Sequence, residues 1–124
     1  MTQQRDHSSH GAVNLDDLLT RVENDHELLC ELICIFKKDL PGLLQSLQKS
    51  VASGDMKNVE ATSHGLKGML AGLSVTQAAA TASRLEQMGR DGRKSELTDA
   101  LTLLESELAD LLPELDAYAS EVNP

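Results

Sequence analysis

Apolar residues recur every three or four positions along most of this chain, which is the period of an amphipathic α-helix. The pattern predicts a short first helix that starts at Asn14, an N-cap residue followed by acids at Asp16 and Asp17. Four longer helical segments follow, and no stretch shows the alternation that a half-buried β-strand requires. The predicted structure is therefore all-α.

The first long segment contains an internal proline. It is capped by Asn24 or Asp25, and its apolar positions keep helical spacing as far as Val51. Pro41 removes one backbone donor and clashes with the preceding turn. We therefore expect one helix with a kink near residues 37–41 rather than two separate helices.

Turn residues set the remaining boundaries. Gly54 is expected to end the first long helix, and Asp55 to cap the next. The later segments are Met56 to about Leu73, Ser74 to about Gly89 with Ser74 as N-cap, and Ser95 to about Tyr118 with a second kink allowed at Pro113.

These elements predict a fold and a domain layout. Four long amphipathic helices joined by short turns favour an antiparallel up-down-up-down four-helix bundle, with the short helix capping one end. The bundle is expected to span 14–119. Residues 1–13 have almost nothing to bury and are predicted to be a disordered lead-in, and residues 120–124 a C-terminal tail.

Charge and composition exclude several classes of protein. The chain has 124 residues with 11 Lys plus Arg against 20 Asp plus Glu, a net charge of −9, which argues against binding to nucleic acid or anionic lipid. No apolar run reaches the roughly 20 residues that span a bilayer, and the N-terminus lacks the apolar stretch of a signal peptide. The expectation is a soluble cytoplasmic domain with an aliphatic core, since only 2% of the residues are aromatic.

Cysteine and carboxylate spacing bear on redox and metal chemistry. Cys30 and Cys34 lie one helical turn apart, where a disulfide would close almost no loop, so both are interpreted as reduced thiols in or near the core. Glu23 and His26 have the Glu-x-x-His spacing of di-iron bundles, but the motif occurs once and at a predicted turn. A metal site is therefore the weakest of the functional alternatives.

His64 is the strongest candidate for chemistry. On its helix it points roughly 160° away from the apolar stripe, and is therefore expected to face solvent. Lys67 and Gly68 lie beside it at i+3 and i+4, and Glu60 one turn before. A neutral imidazole is a nucleophile toward phosphorus, and a nearby ammonium offsets phosphoryl charge.

Three glycines on the same helix need an explanation, because each lowers the stability of the helix by about 1 kcal/mol relative to alanine. Gly68 would leave room beside the ring for a phosphoryl group and for a protein delivering it, and Gly72, one turn further on, would extend this surface of small residues. Gly65 is the third glycine of the helix. The alternative is that the glycines let another helix pack closely. A solvated histidine beside an ordinary charged face is the corresponding alternative for His64 and Lys67.

These residues carry a resemblance to a known family. The run Ser63-His64-Gly65-Leu66-Lys67-Gly68 resembles the His-x-Leu-Lys-Gly signature of histidine-containing phosphotransfer (HPt) domains of bacterial multistep phosphorelays. The similarity covers roughly Asn14 to Tyr118. It also includes Leu15 to Leu19, Leu32 to Phe36 with Leu40 to Leu44, the Ser53-Gly54-Asp55 turn, and Leu85-Glu86 with Gly89 to Gly92.

The resemblance implies a function. His64 would accept a phosphoryl group from a receiver-domain aspartyl phosphate and pass it to another receiver aspartate, with Lys67 as the nearby cation and Gly68 as the small residue that leaves space. Partners would be response-regulator receiver domains and a hybrid sensor histidine kinase. The domain, expected to be monomeric, would need no cofactor and no ATP site of its own, since Mg²⁺ is supplied by the receiver.

Two further residues are implied by the resemblance. Glu86 falls where the family places a polar acceptor for the histidine ring, and a carboxylate accepting from Nδ1–H would leave Nε2 free to attack. Arg90 would help to hold the phosphoryl group or the partner. The sequence departs from the family pattern at Ser63, often alanine in the family, and at Met69-Leu70, commonly a smaller pair.

A second function remains open beside phosphotransfer. A non-catalytic helical adaptor, either a degenerate HPt domain or an unrelated bundle, would bind a signalling partner without chemistry. It predicts that replacing His64 leaves partner binding and signalling intact.

Overall fold

The computed structural model describes residues 13–122, which contain five α-helices and no strand. The predicted short helix and four long helices are confirmed. We number the helices α1 (Leu15–Arg21), α2 (His26–Ser53), α3 (Met56–Gly72), α4 (Thr76–Asp91) and α5 (Leu97–Val122).

The four long helices form a closed bundle. Each packs against its neighbours in chain order, and α2 also packs against α5, which closes the ring. The most extensive contact is between α3 and α4. Short connections between consecutive helices make them antiparallel neighbours, as predicted.

The core is aliphatic, as the scarcity of aromatic residues requires. Every helix contributes leucine to it, and Phe36 adds one aromatic ring that is 2% exposed. The largest side chains buried almost completely are Leu18, Leu29, Ile33, Leu47, Val59, Leu66, Leu70, Leu85, Leu97, Leu104, Leu111 and Leu115. This core fixes the relative positions of the helix surfaces that carry polar residues.

Helix ends follow the predicted capping in three places. At each N-cap, a side-chain oxygen accepts a hydrogen bond from the backbone N–H three residues later. The pairs are Asn14 with Asp17 at 3.1 Å, Asp25 with Leu28 at 3.0 Å, and Asp55 with Asn58 at 3.2 Å. Gly54 ends α2 with a φ of 75°, the left-handed region that favours glycine.

Pro41 lies inside α2, which runs without interruption on both sides of it. A single helix through the proline is therefore confirmed. The kink at this position stays a prediction, as does the one at Pro113 in α5.

The predicted role of Ser74 as N-cap is wrong. Helix α4 begins at Thr76, and its N-cap residue Val75 makes no side-chain capping bond. Ser74 instead adopts a φ of 59°, and its hydroxyl donates to Asp17 Oδ2 at 2.6 Å. Its carbonyl also accepts from the N–H of Asn14 at 3.1 Å, so the residue joins α1 to the α3–α4 turn rather than capping α4.

The two ends of the bundle differ from the predicted boundaries. Val13, assigned to the lead-in, is 8% exposed, belongs to the core, and donates its N–H to Glu114 at 3.2 Å. Residues 1–12, the rest of that predicted segment, lie outside the described residues. Helix α5 continues to Val122, past the predicted end near Tyr118 and into the predicted tail of residues 120–124, because no glycine or proline intervenes before Pro124. Residues 123–124 of that predicted tail lie outside the described residues.

The two cysteines are free thiols, as predicted, but the expected place in or near the core is wrong for Cys34. Cys30 is half-buried and Cys34 is exposed. The core face of α2 passes through Leu29, Ile33 and Phe36, and Cys34 follows Ile33 by about 100° around the helix.

No helix within residues 13–122 is long and apolar enough to cross a membrane.

The Asp17–Ser74 hydrogen bond predicts an acid-sensitive contribution to stability. The Ser74 hydroxyl, and then Arg21, hold the pKa of Asp17 below its ordinary value of 3.8. A carboxylate with a depressed pKa stabilises the folded state above the unfolded pKa, and this contribution is lost as the pH falls through the folded pKa. We expect Asp17→Asn to lower the melting temperature near neutral pH, and the difference from wild type to shrink as the pH falls below 3.8, the ordinary pKa of the carboxyl group.

Asp16→Asn is the matched control, because Asp16 shares the first turn of α1 without the bond to Ser74. Thermal unfolding followed by circular dichroism across this pH range makes the comparison. A difference that is equal for both variants would show that the helix terminus, rather than the bond to Ser74, is responsible.

Candidate functional site

His64 projects from the outer face of α3. Its side chain is 68% exposed, whereas Thr62, Leu66 and Leu70 of the same helix are buried in the bundle. The prediction that the imidazole faces solvent is confirmed.

A carboxylate on the neighbouring helix holds the ring. Glu86 of α4 has a side chain only 8% exposed, and its Oε2 lies 3.0 Å from Nδ1 of His64. Because an ionised carboxylate can only accept, Nδ1 carries the proton and donates it. The neutral ring therefore keeps an unprotonated Nε2, the atom that can act as a nucleophile.

Lys67 occupies the other oxygen of the same carboxylate. Its Nζ lies 2.6 Å from Glu86 Oε1, and its side chain is 35% exposed. This bond is the largest cause of a lowered pKa for Glu86, and the bond from His64 acts in the same direction, although burial opposes both. Glu86 consequently stays ionised below its ordinary range, and the acceptor for Nδ1–H is preserved in mildly acidic solution.

Arg90 joins the network from the end of α4. Its Nη2 lies 3.2 Å from Glu86 Oε2, its Nε 3.1 Å from Glu60 Oε2, and its Nη1 3.2 Å from Gln87 Oε1. All three contacts are with side-chain oxygens of the protein itself, and Glu60 is the main cause of a raised pKa for Arg90.

The structure thus brings His64, Lys67, Glu86 and Arg90 into one network. Glu60 is the member that sequence analysis named only as a neighbour of His64. Its position one turn before the histidine was visible in the sequence, but its pairing with Arg90 depends on how α3 and α4 are aligned.

The glycines of α3 do not serve helix packing. A Cβ atom added at Gly65, Gly68 or Gly72 would meet nothing within 4 Å. The alternative that they admit another helix is therefore wrong, and these positions leave open surface beside His64.

Close packing occurs instead at Gly89 of α4. A Cβ atom there would lie 2.7 Å from the backbone nitrogen of Glu60 and 2.9 Å from the carbonyl oxygen of Met56. This glycine lets α4 approach the backbone of α3, three residues after Glu86. In the sequence, Gly89 was only the expected end of this helix and part of the family resemblance.

A shallow apolar groove lies one turn beyond His64 along α3. It is lined by Gly68, Met69 and Gly72 of α3, by Leu73 at the C-cap of α3, and by Leu32, Ile35 and Phe36 of α2. Ile35 is 55% exposed, and Leu28, two turns earlier on the same helix, is 40% exposed. Exposed apolar side chains beside small residues are typical of a surface that binds another protein.

The departures from the family pattern fall mostly in the interior. Ser63 is completely buried, and its Oγ has no hydrogen-bond partner among the described residues. Leu70 is buried in the core, so only Met69 reaches the groove.

Within residues 13–122, no group of three or more His, Cys, Asp or Glu side chains is arranged to hold a metal ion. The His26 ring of the considered Glu-x-x-His motif lies 3.0 Å, through Nδ1, from the hydroxyl of Tyr118.

Comparison with known proteins agrees with this geometry. The family model described as Hpt domain matches residues 31–118, which is more than half of the chain. The fold matches the crystal structure of histidine-containing phosphotransfer protein B (HptB) from Pseudomonas aeruginosa PAO1, with a TM-score of 0.82 and 20% identity over 88% of this chain and 95% of that one. No curated protein sequence matches.

The helical bundle of this chain is thus the fold of a histidine-containing phosphotransfer protein. The chain belongs to the HPt domain family, whose members carry phosphoryl groups on histidine in phosphorelays, together with receiver domains and kinases.

The two kinds of glycine environment predict opposite responses to one substitution. Gly68→Ala meets open space and gains helix propensity, so the free energy of unfolding should rise by about 0.5–1 kcal/mol. Gly89→Ala forces its Cβ against the backbone of α3, so the free energy should fall by about 1–3 kcal/mol. Urea unfolding of both variants measures the two changes. A rise for both would contradict the close approach of α4 to α3.

Proposed function

We propose that this chain is a phosphorelay intermediate in which His64 accepts a phosphoryl group from the aspartyl phosphate of one receiver domain and passes it to the aspartate of another. The observation that carries the proposal is the exposed His64 ring held through Nδ1, at 3.0 Å, by the buried carboxylate of Glu86. That bond orients the ring and leaves Nε2 directed away from the protein's own acceptor.

The transfer needs no separate general base. The lone pair of Nε2 attacks phosphorus, the Nε2–P bond forms, and the bond from phosphorus to the aspartyl oxygen breaks, with its electrons returning to the carboxylate. No proton leaves, because Nε2 carried none, so the phosphorylated ring is positively charged. In the second transfer an aspartate oxygen attacks phosphorus, and the N–P electrons return to Nε2.

Glu86 and Lys67 have complementary roles in this reaction. The negative carboxylate at Nδ1 stabilises the positive charge that the ring acquires. The Lys67 ammonium, one helical turn from His64, would stabilise the oxygens of the phosphoryl group. Gly68 leaves the space that this group and the incoming receiver surface require.

The apolar groove supports a protein partner rather than a small molecule. It is open and shallow, and it lies one turn from His64 between α2 and α3. A receiver domain docked there would present its aspartate, with its Mg²⁺, to the histidine ring. The receiver would provide most of the transition-state stabilisation, and this domain a positioned nucleophile and a docking surface.

The remaining parts of the proposal follow from the same role. The domain is a phosphocarrier and not an enzyme, with no cofactor or ATP site of its own. It acts as a monomer in the cytoplasm, receives phosphoryl groups in a pathway fed by a hybrid sensor histidine kinase, and binds neither nucleic acid nor membrane.

The direct test is phosphorylation of the purified chain. Mixed with phosphorylated receivers and ATP-charged hybrid kinases of the same organism, wild type should acquire acid-labile, base-stable phosphate. His64→Gln should acquire none, because the nucleophile is gone. His26→Gln, which replaces an exposed histidine on α2, should label like wild type.

The adaptor alternative predicts a different result in the same experiment. If no receiver in a complete panel labels the wild type, while some bind wild type and His64→Gln equally, the chain is a non-catalytic binding module.

Space at position 68 gives a second prediction. Gly68→Gln should slow transfer from a labelling receiver by at least about tenfold, a barrier increase of roughly 1.4 kcal/mol, while the fold is retained. Ala109→Gln, which adds the same side chain to the exposed face of α5, should transfer at the wild-type rate. The transfer rates are measured by quenching the labelling reaction at a series of times and counting the phosphate on the protein. A wild-type rate for Gly68→Gln would show that this position does not face the partner.

A further inference from the structure

Four charged groups surround the Nδ1 side of His64 in a balanced set. Glu60 and Glu86 are acids, Lys67 and Arg90 are bases, and every one is within hydrogen-bond distance of an opposite charge. Glu86 lies at the centre, because its two oxygens accept from Lys67, Arg90 and the His64 ring. With His64 neutral, the net charge of the set is zero.

Phosphorylation of His64 would upset this balance. The phosphoryl group adds about two negative charges at Nε2, and the ring gains one positive charge. Lys67 is the partly exposed cation on the same helix face, so the new charge competes with Glu86 Oε1 for its ammonium. If Lys67 moves to the phosphoryl group, Glu86 loses its shortest contact, and a buried carboxylate that loses a donor is costly.

Arg90 is held in place by contacts with three side chains. Three different nitrogens of its guanidinium are bound, to Glu60, Gln87 and Glu86. Glu60 lies on α3 and Glu86 on α4, so the arginine bridges the two helices. The approach of the Gly89 backbone to that of Glu60 brings these groups within reach of each other.

On the basis of the proposed function, we infer that Arg90, anchored by Glu60, is a positioning residue that keeps Glu86 bound to His64 and frees Lys67 for the phosphoryl group. Arg90 itself does not touch that group. This role differs from the one implied by the family resemblance, in which Arg90 holds the phosphoryl group or the partner.

A substitution of Glu60 distinguishes the two possible roles of Arg90. If Arg90 acts through Glu86, removing the negative charge of its anchor with Glu60→Gln weakens the same function as Arg90→Gln does. If Arg90 contacts the phosphoryl group directly, Glu60→Gln releases it from a competing acid and strengthens that contact.

The experiment uses phosphoramidate, a small phosphoryl donor, so that no partner protein is needed. Its P–N bond breaks, ammonia leaves, and an Nε2–P bond forms on His64. The ³¹P chemical shift of the phosphohistidine is then followed against pH. A paired ammonium favours the dianion, so the midpoint of the titration reports whether Lys67 is on the phosphoryl group.

We expect the midpoint to rise, relative to wild type, by roughly half a pH unit in both Arg90→Gln and Glu60→Gln, towards the value for Lys67→Gln. Lys57, the other base near the ring, is the same in every variant. Arg93→Gln is the matched control, because Arg93 is equally exposed and pairs with Glu96 at 2.7 Å outside the network. It should keep the wild-type midpoint.

The possible results test the proposed function and the role of Arg90 separately. Wild-type protein that neither phosphoramidate nor any phosphorylated receiver of a complete panel labels on His64 would overturn the proposed function itself. Labelled variants whose midpoints stay at the wild-type value, or fall in Glu60→Gln, would overturn only the role of Arg90. A change in thermal stability alone moves no titration midpoint of the folded protein, so a purely structural role of the arginine would also leave the midpoints unchanged.

Discussion

The hydrogen bond between the buried Glu86 carboxylate and Nδ1 of His64 is the interaction on which the chemistry of this surface depends. An exposed histidine on a helix would otherwise rotate freely and exchange its proton between two nitrogens. The carboxylate removes both freedoms, since it accepts only from a protonated Nδ1 and is itself held by Lys67 and Arg90. The nucleophile is thus prepared before a partner arrives.

That bond in turn depends on how closely α3 and α4 pack. The two helices form the most extensive contact of the bundle, and Gly89 permits a backbone approach that no larger residue would allow. The glycines on the outer face of α3 have the opposite function, because they face open space beside His64. One residue type therefore brings Glu86 close to His64 on one side and keeps the ring accessible on the other.

The sequence predicts much of the fold because its signals are local. Helical periodicity, the N-caps at Asn14, Asp25 and Asp55, and the left-handed glycine at position 54 each depend on residues a turn apart. Ser74 was misinterpreted because its hydroxyl is bound by a residue of α1, which is distant in the chain.

The candidate site shows the same division between local and long-range information. The exposure of His64 follows from the period of its own helix, and the proximity of Lys67 from a spacing of three residues. The contact between Glu86 and His64 was predicted only from the family resemblance, and the pairing of Glu60 with Arg90 was not predicted. Both contacts depend on the register between two helices. Whether Nε2 is the reactive atom can be measured directly by long-range ¹H–¹⁵N NMR of the ring before and after phosphorylation. We predict a proton on Nδ1 and phosphorus on Nε2, whereas a proton on Nε2 in the free protein, or phosphorus on Nδ1, would contradict the account.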